Sequence, residues 1–334
     1  MKRIFAIIAV TLIILPLALG ATAGHAKERG AGAQPTVAPK NRNEAVYLLI
    51  GVDRASNSAD VVMLLRVKGD TLSFLQLPRD SFLAKGTRLN AVFAAAVNRE
   101  KEKGAADREA YAAGGRALSA LLSKGLGVSV SAHAVLTLQG LRTIVDAMGG
   151  VTVTLDRAIS YEDPVQGVTV SLNTGEQHLD GAAAEGLVRC RSVYPDADYG
   201  RMRAQRKLIA AVFDKLKNGV SPKGLLSLFR KAWQEVETDL GFSQALTLLA
   251  AVTGRDTALT FATLTGEAFR HNGAIVEGIS EVNLEKASAY IGGQFDAASA
   301  REIFCYDTET ARAIYDSPTP PPFLIADEAR NEKG

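Results

Sequence analysis

The hydrophobic pattern changes character along the chain, and each change marks an element. Val46 to Ile50 form an unbroken apolar run in "AVYLLIGVD". Such a run predicts a strand buried on both faces. "VVMLLRV" (61–67) and "TLSFLQL" (71–77) predict two more strands. Lys68-Gly69-Asp70 between them is a short turn centred on glycine, which is a hairpin signal. From Asn90 the spacing turns helical. "NAVFAAAVNREKEKG" ends at Gly104, and "DREAYAAGGRALSALLSKGLG" keeps a stripe of Leu118, Leu121 and Leu122 despite Gly114-Gly115. Strand, helix and strand follow over 131–138, 139–150 and 151–155, and another strand over 168–172. A short helix opens at Asp180. The clearest amphipathic helix spans 200–219, with Leu208, Ile209, Val212, Phe213 and Leu216 on one stripe. Helices near 222–233, 242–252 and 282–291 and a strand near 259–264 complete the pattern. No composition break divides it, so 44–297 reads as one α/β domain.

The ends differ from this domain. "MKRIFAIIAVTLIILPLALGATAGHA" has two basic residues and then an apolar run from Ile4 to Ala23. That run has about the ~20 residues a membrane-crossing helix needs, with its N-terminus inside. Pro16 and the small residues before Ala26 suit signal cleavage, and the apolar length suits an anchor. Both readings of residues 1–26 put the rest of the chain outside the cytoplasmic membrane. Residues 27–43 are polar and rich in Gly, Ala and Pro, a flexible linker. Residues 298–334 carry "SPTPPPF" and a charged end, and read as a partly disordered tail.

Net charge is +2, with no massed basic tract, so no field-driven nucleic-acid binding is expected. Cys190 and Cys305 lie far apart without zinc-ligand spacing. A disulfide between them stays open, and Cys190 in its apolar run also suits a core residue. The four histidines show no metal spacing and no nucleophile elbow, and no Walker loop is present.

Carboxylates and arginines are what remain. If the first two strands are antiparallel neighbours, Asp53 and Asp60 bracket one loop at one sheet edge. The second hairpin, with seven residues per arm, pairs Val61 with Leu77 and brings Pro78-Arg79-Asp80 beside Asp60. Two close carboxylates need a cation or proton between them, and magnesium suits oxygen ligands. Arg79 would then grip a phosphate. The plainer reading is turn caps and a surface ion pair, and the spacing leaves both open. A second cluster holds Arg189, Arg191, Arg201, Arg203 and Arg206. Arg189 and Arg191 share a face if extended, and Arg201 opens the amphipathic helix with Gln205 one turn on. Helix N-termini favour anions. Arg203, Arg206 and Lys207 read as a solvated basic face.

"YLLIGVDRASNSADVVMLL", "LQLPRDSF", "RLNAVF", "IVDAMGGVTVTL", "HLDGAAAEGLVRCR" and "DADYGRMRAQRKLI" occur in this order. In that order they resemble the LytR-CpsA-Psr family of wall glycopolymer ligases, strongly over 47–217. The resemblance implies an α/β/α sandwich with a central mixed β-sheet and a long apolar lipid-binding groove. It implies transfer of a glycopolymer from a polyprenyl-pyrophosphate carrier to a peptidoglycan hydroxyl, with magnesium, or manganese in its place, and attachment to the cytoplasmic membrane. Asp53 and Asp60 match the metal-associated aspartates, and Arg79, Arg191 and Arg201 the pyrophosphate-contacting arginines. Arg54, Asp80, Asn90, Arg189, Asp198 and Gln205 fill flanking positions as candidate substrate-binding residues, with Asp80 also placed to orient Arg79 or close its turn. The chain has Ala55, Ser58 and Ala204 where the family often has arginine. The rival functions are a non-catalytic polyprenyl-phosphate-binding scaffold and a lipid pyrophosphatase.

Overall fold

A computed structural model of the chain describes residues 44–164, 167–218, 222–240, 257–304 and 324–326. The expected helix at 242–252, the N-terminal segment and the linker lie outside these residues. Strands β1 (Glu44–Asp53), β2 (Ser58–Lys68) and β3 (Thr71–Leu77) form the antiparallel meander expected from their apolar runs. β4 (Val130–Thr137) joins β1 in parallel. β10 (Ala258–Thr263) joins β3 in parallel, and β9 (Val236–Thr238) and β13 (Leu324–Ala326) close the edges. The result is a mixed seven-stranded sheet.

Both faces of that sheet are covered, which is why its strands read as continuous hydrophobic runs. Val46, Leu48, Ile50, Val62 and Leu64 point to one side. There they pack against helices α1 (Leu89–Glu102), α2 (Asp107–Leu126), α7 (Glu281–Ile291) and α8 (Ala297–Ile303). Tyr47, Met63, Leu65 and Phe74 point to the other, toward Phe213. Phe213 belongs to α5 (Asp198–Asn218). A second core joins α5 to α3 (Leu138–Ala147), α4 (Gly181–Arg189), α6 (Pro222–Glu235) and two small sheets. Those sheets pair β5 (Val151–Leu155) with β8 (Gly175–Leu179), and β6 (Ile159–Asp163) with β7 (Val168–Leu172). Cys190 is buried in this core, its thiol donating to the Ser160 carbonyl at 3.7 Å. The architecture is therefore an α/β/α sandwich around a central mixed sheet.

Two expectations differ from the structure, and one element is new. The β2–β3 hairpin pairs Val62, not Val61, with Leu77. Lys68 joins the ladder opposite Thr71, and Gly69, in the left-handed region at φ 55°, lets a two-residue turn suffice. The ordered domain also runs past 297. Helix α8 follows, and Phe304 is buried in the first core. Leu324–Ala326 adds an edge strand to β10, so that stretch of the tail is part of the sheet. Finally, β11 (Glu267–His271) and β12 (Ala274–Gly278) form a hairpin that no sequence expectation covered.

Candidate active site

A bulge creates the first half of the site. Gly51 pairs with Val61 and Val52 with Ala59, so Asp60 is the extra residue in β2. A bulge re-aims the side chain it carries. A Cβ on Gly51 would stand 2.9 Å from the Val61 side chain, so the strands close here only over glycine. Arg79, the second residue after β3, reaches back to form a close ion pair with Asp60. Its Nε lies 3.5 Å from Asp80 Oδ2, and Arg88 holds the other Asp80 oxygen at 2.9 Å. Burial opposes the Arg79 charge, but Asp60, Asp80 and Asp198 outweigh it and keep the pKa above the usual arginine value. The convergence of Asp60 and Arg79 was legible from hairpin geometry, and the structure has it.

The other half comes from α4 and α5. Asp180 caps α4, its carboxylate accepting from Ala183 N at 2.8 Å. The helix ends on Arg189, so Arg189 and Arg191 do not share an extended segment. Arg189 is held by Asp163 at 2.7 Å and Glu185 at 2.9 Å, with its guanidinium 5.5 Å from the Tyr161 ring centre. Arg191 is exposed, two residues further on. Arg201 lies in the first turn of α5 and is only 4% exposed. Its Nη2 is 2.7 Å from Asp198 Oδ1 and 3.5 Å from the Asp60 carbonyl. Its Nε has no hydrogen-bond partner among the described residues. Burial lowers its pKa, and Arg79 and Arg191 lower it further against the pull of Asp198 and Asp60.

Two cavities meet on these residues. One, of about 200 Å³, lies between the second sheet face and α5. Leu49, Met63, Phe74, Leu136, Ile209 and Val212 make its wall almost wholly apolar. The other, of about 570 Å³, holds Arg79, Arg189, Arg191 and Arg201 with Tyr161 and Tyr194. Asp60, Arg189 and Arg201 line both. An apolar groove thus opens into an arginine basin through one shared rim. Asp53 lines the groove, one carboxylate oxygen accepting from Ala55 N at 3.0 Å. Gln205 also lines it, buried, accepting from Gln76 at 2.6 Å and donating to the Val188 carbonyl at 3.1 Å.

Other expected residues lie elsewhere. Arg54 turns outward to an exposed ion pair with Asp107 at 2.9 Å and lines neither cavity. Ala55-Ser56-Asn57 turns the chain there, and the acidic start of α2 offers the partner. Asn90 is buried outside both cavities, its backbone N–H donating to the Arg79 carbonyl at 2.9 Å. Asp80 and Asp198 hold Arg79 and Arg201 from behind. Arg206 is not on a solvated face: it is 4% exposed and donates to Thr263 at 2.5 Å and Gln76 at 3.4 Å. Arg203 and Lys207 do face solvent, paired with Asp196 and Asp156. Asp163, Glu185 and Tyr161, which hold Arg189, went unseen in the sequence. Gln76 had a signal, a polar residue inside an apolar strand.

The profile of the LytR_cpsA_psr family matches residues 17–290. The chain belongs to the LytR_cpsA_psr family. The six motifs that suggested this lie within the match. Biofilm regulatory protein A of Streptococcus mutans is 27% identical over 322 residues, which cover 91% of this chain and 76% of the relative. The polyisoprenyl-teichoic acid–peptidoglycan teichoic acid transferase TagU of Bacillus subtilis is 27% identical over 206 residues, 58% of this chain and 60% of that protein. The crystal structure of Bacillus subtilis TagV is similar in fold, with a TM-score of 0.58 at 19% identity. That likeness covers 75% of this chain and 96% of TagV.

No group of three or more metal-binding side chains occurs among the described residues. An all-protein metal cage therefore does not fit. Asp53 and Asp60 both line the groove, and carboxylate oxygens are the ligand type magnesium takes beside a diphosphate and water. No helix among the described residues is long and apolar enough to cross a membrane.

Proposed function

We propose that this protein is a cell-wall transferase that moves a glycopolymer from a polyprenyl-pyrophosphate carrier to peptidoglycan, outside the cytoplasmic membrane. The observation that carries the reading is the shared rim. An apolar groove joined to a basin of four arginines suits a ligand with a hydrocarbon tail and a diphosphate head. The name of the Bacillus subtilis relative agrees with that ligand class.

In the reaction, an acceptor hydroxyl attacks the glycan-linked phosphorus. A new P–O bond forms, the bridging P–O bond to polyprenyl phosphate breaks, and the hydroxyl proton leaves to a base. Arg201 brings a nearly buried charge to the shared rim, where the low dielectric strengthens its attraction for a diphosphate. Arg191 brings an exposed charge, and Arg79 one held in place by Asp60. These guanidinium groups stabilise charge that grows on the leaving phosphate. Asp53 and Asp60 are the residues that would hold magnesium or manganese, which neutralises the diphosphate when bound. The apolar wall keeps water from the tail and sets the head at the rim.

The test is transfer of a labelled lipid-linked glycan to peptidoglycan fragments by the full chain with magnesium. Labelled peptidoglycan supports the reading. Lipid binding without transfer points to a scaffold, and release of free phosphorylated glycan points to a pyrophosphatase. Either of those results refutes the transferase.

A further inference from the structure

Glu277 lines neither cavity, yet it joins the two segments that carry Arg79 and Arg201 of the basin. Its backbone N–H donates to the Asp80 carbonyl at 3.0 Å, and its carbonyl accepts from Phe82 N at 2.8 Å. The stretch after Arg79 is thereby docked on β12, with Ser81 bridging to Glu277 in parallel. The Glu277 carboxyl accepts from the Tyr199 hydroxyl at 3.2 Å. Tyr199 is the second residue of α5, and its oxygen also accepts from Gly266 N at 3.0 Å. One side of this junction is Asp80, the partner of Arg79. The other is Asp198, the partner of Arg201. One residue thus ties both carboxylate–arginine pairs together, to Asp80 through its backbone and to the turn of Asp198 through its carboxyl and Tyr199.

The charged and titratable groups that act on it come from two elements. Tyr199 and Asp198 belong to α5, and Asp80 to the docked stretch. Across its own hairpin the partner is Ala268, which carries no charge. No arginine or lysine is among these groups. Burial pushes the Glu277 carboxyl up to about 7, the Tyr199 bond opposes this, and Asp198 and Asp80 add to it. The carboxyl thus changes charge in the neutral range, unlike an ordinary glutamate.

We propose that Glu277 is a positioning residue that must be neutral for the arginine basin to hold a diphosphate. Once ionised, it repels Asp80 and Asp198, and through them shifts Arg79 and Arg201. It also adds negative potential beside an anion site. By linkage, a bound diphosphate raises the affinity of Glu277 for its proton, so binding just above neutrality takes up a proton. This inference rests on the diphosphate-lipid reading of the site.

The experiment uses the full chain as wild type, Glu277→Gln and Tyr199→Phe, with geranylgeranyl pyrophosphate as the probe. Calorimetry between pH 6 and 8.5, in buffers of different ionisation enthalpy, reads affinity and proton uptake together. Comparison with Glu277→Gln cancels the titration of the probe itself. Wild type and Glu277→Gln should bind equally at the acid end. At the alkaline end wild type should bind roughly five- to tenfold more weakly, the low end of ordinary site–site coupling. Wild type should also take up a proton that the Gln variant does not. Tyr199→Phe removes the contact that lowers the Glu277 pKa, so its affinity step should move to higher pH. If both proteins bind the probe and their affinity ratio stays flat, Glu277 is structural only and the inference fails while the diphosphate site stands. If wild type binds the probe at no pH, the diphosphate reading itself fails and takes this inference with it.

Discussion

Replacing Arg201 with methionine separates what the fold requires from what the ligand requires. Arg201 is 4% exposed, and its guanidinium has one carboxylate within reach, Asp198 at 2.7 Å. Burial and the neighbouring Arg79 and Arg191 all disfavour its charge. Methionine keeps most of the apolar stem and removes an ion that costs free energy to bury. Asp198 is 26% exposed at its side chain, so water reaches its outer oxygen, although the Oδ1 that meets Arg201 is buried. These effects oppose one another, and apo stability should change by less than about 1 kcal/mol. Binding should behave differently. The variant loses the guanidinium that lines both cavities at their shared rim. Hydrogen bonds to charged groups contribute about 1.5–3 kcal/mol each. Loss of one or two therefore predicts about 2–4 kcal/mol, or roughly 30- to 1,000-fold in affinity. Calorimetry with geranylgeranyl pyrophosphate and a urea melt measure the two quantities. Strong destabilisation with unchanged affinity would refute the reasoning, because Arg201 would then be a structural ion and not a ligand contact.

Other changes probe the remaining parts of the site. Asp60→Asn removes the anion paired with Arg79. It should tighten metal-free binding of the diphosphate lipid by roughly tenfold and, with Asp60 proposed as a magnesium ligand, remove any response of transfer to magnesium. Ile209→Glu places a charge in the apolar wall. It should weaken a long polyprenyl pyrophosphate by at least tenfold and leave dimethylallyl pyrophosphate nearly unchanged, since each buried CH₂ contributes about 0.8 kcal/mol. Arg206→Ala strips the buried contacts to Thr263 and Gln76, and a urea melt should show a loss of about 2–4 kcal/mol. For Glu277 the folded pKa lies above the unfolded one. Its contribution is fully present below about 4.5, declines as pH rises, and is lost above about 7. That amounts to at most about 3 kcal/mol, less after discounting for partial exposure, and Tm-versus-pH curves for wild type and Glu277→Gln should diverge across that window.

The central strands were legible because they are buried on both faces, so nothing polar interrupted Val46 to Ile50. The meeting of Asp60 with Arg79 was legible because hairpin topology alone brings those stretches together. The register was off by one because a turn of two residues and one of three look alike around Lys68-Gly69-Asp70. The bulge at Asp60 left no mark, since it depends on how Gly51 packs against Val61. Arg206 was misplaced because its helix face meets the β3–β10 end of the sheet, a contact fixed by tertiary packing. The β11–β12 hairpin did carry a signal. Asn272-Gly273, with both residues at positive φ, lies between the strand-like "EAFRH" and "AIVEG".

The central claim is that groove and basin form one site for one amphipathic ligand. A crystal structure of the chain with geranylgeranyl pyrophosphate and magnesium tests it most directly. The expected density runs between the second sheet face and α5, with the diphosphate at the rim against Arg79, Arg191 and Arg201 and the ion beside Asp53 and Asp60. A hydrocarbon chain outside the groove, or a diphosphate held away from Arg201, would contradict it.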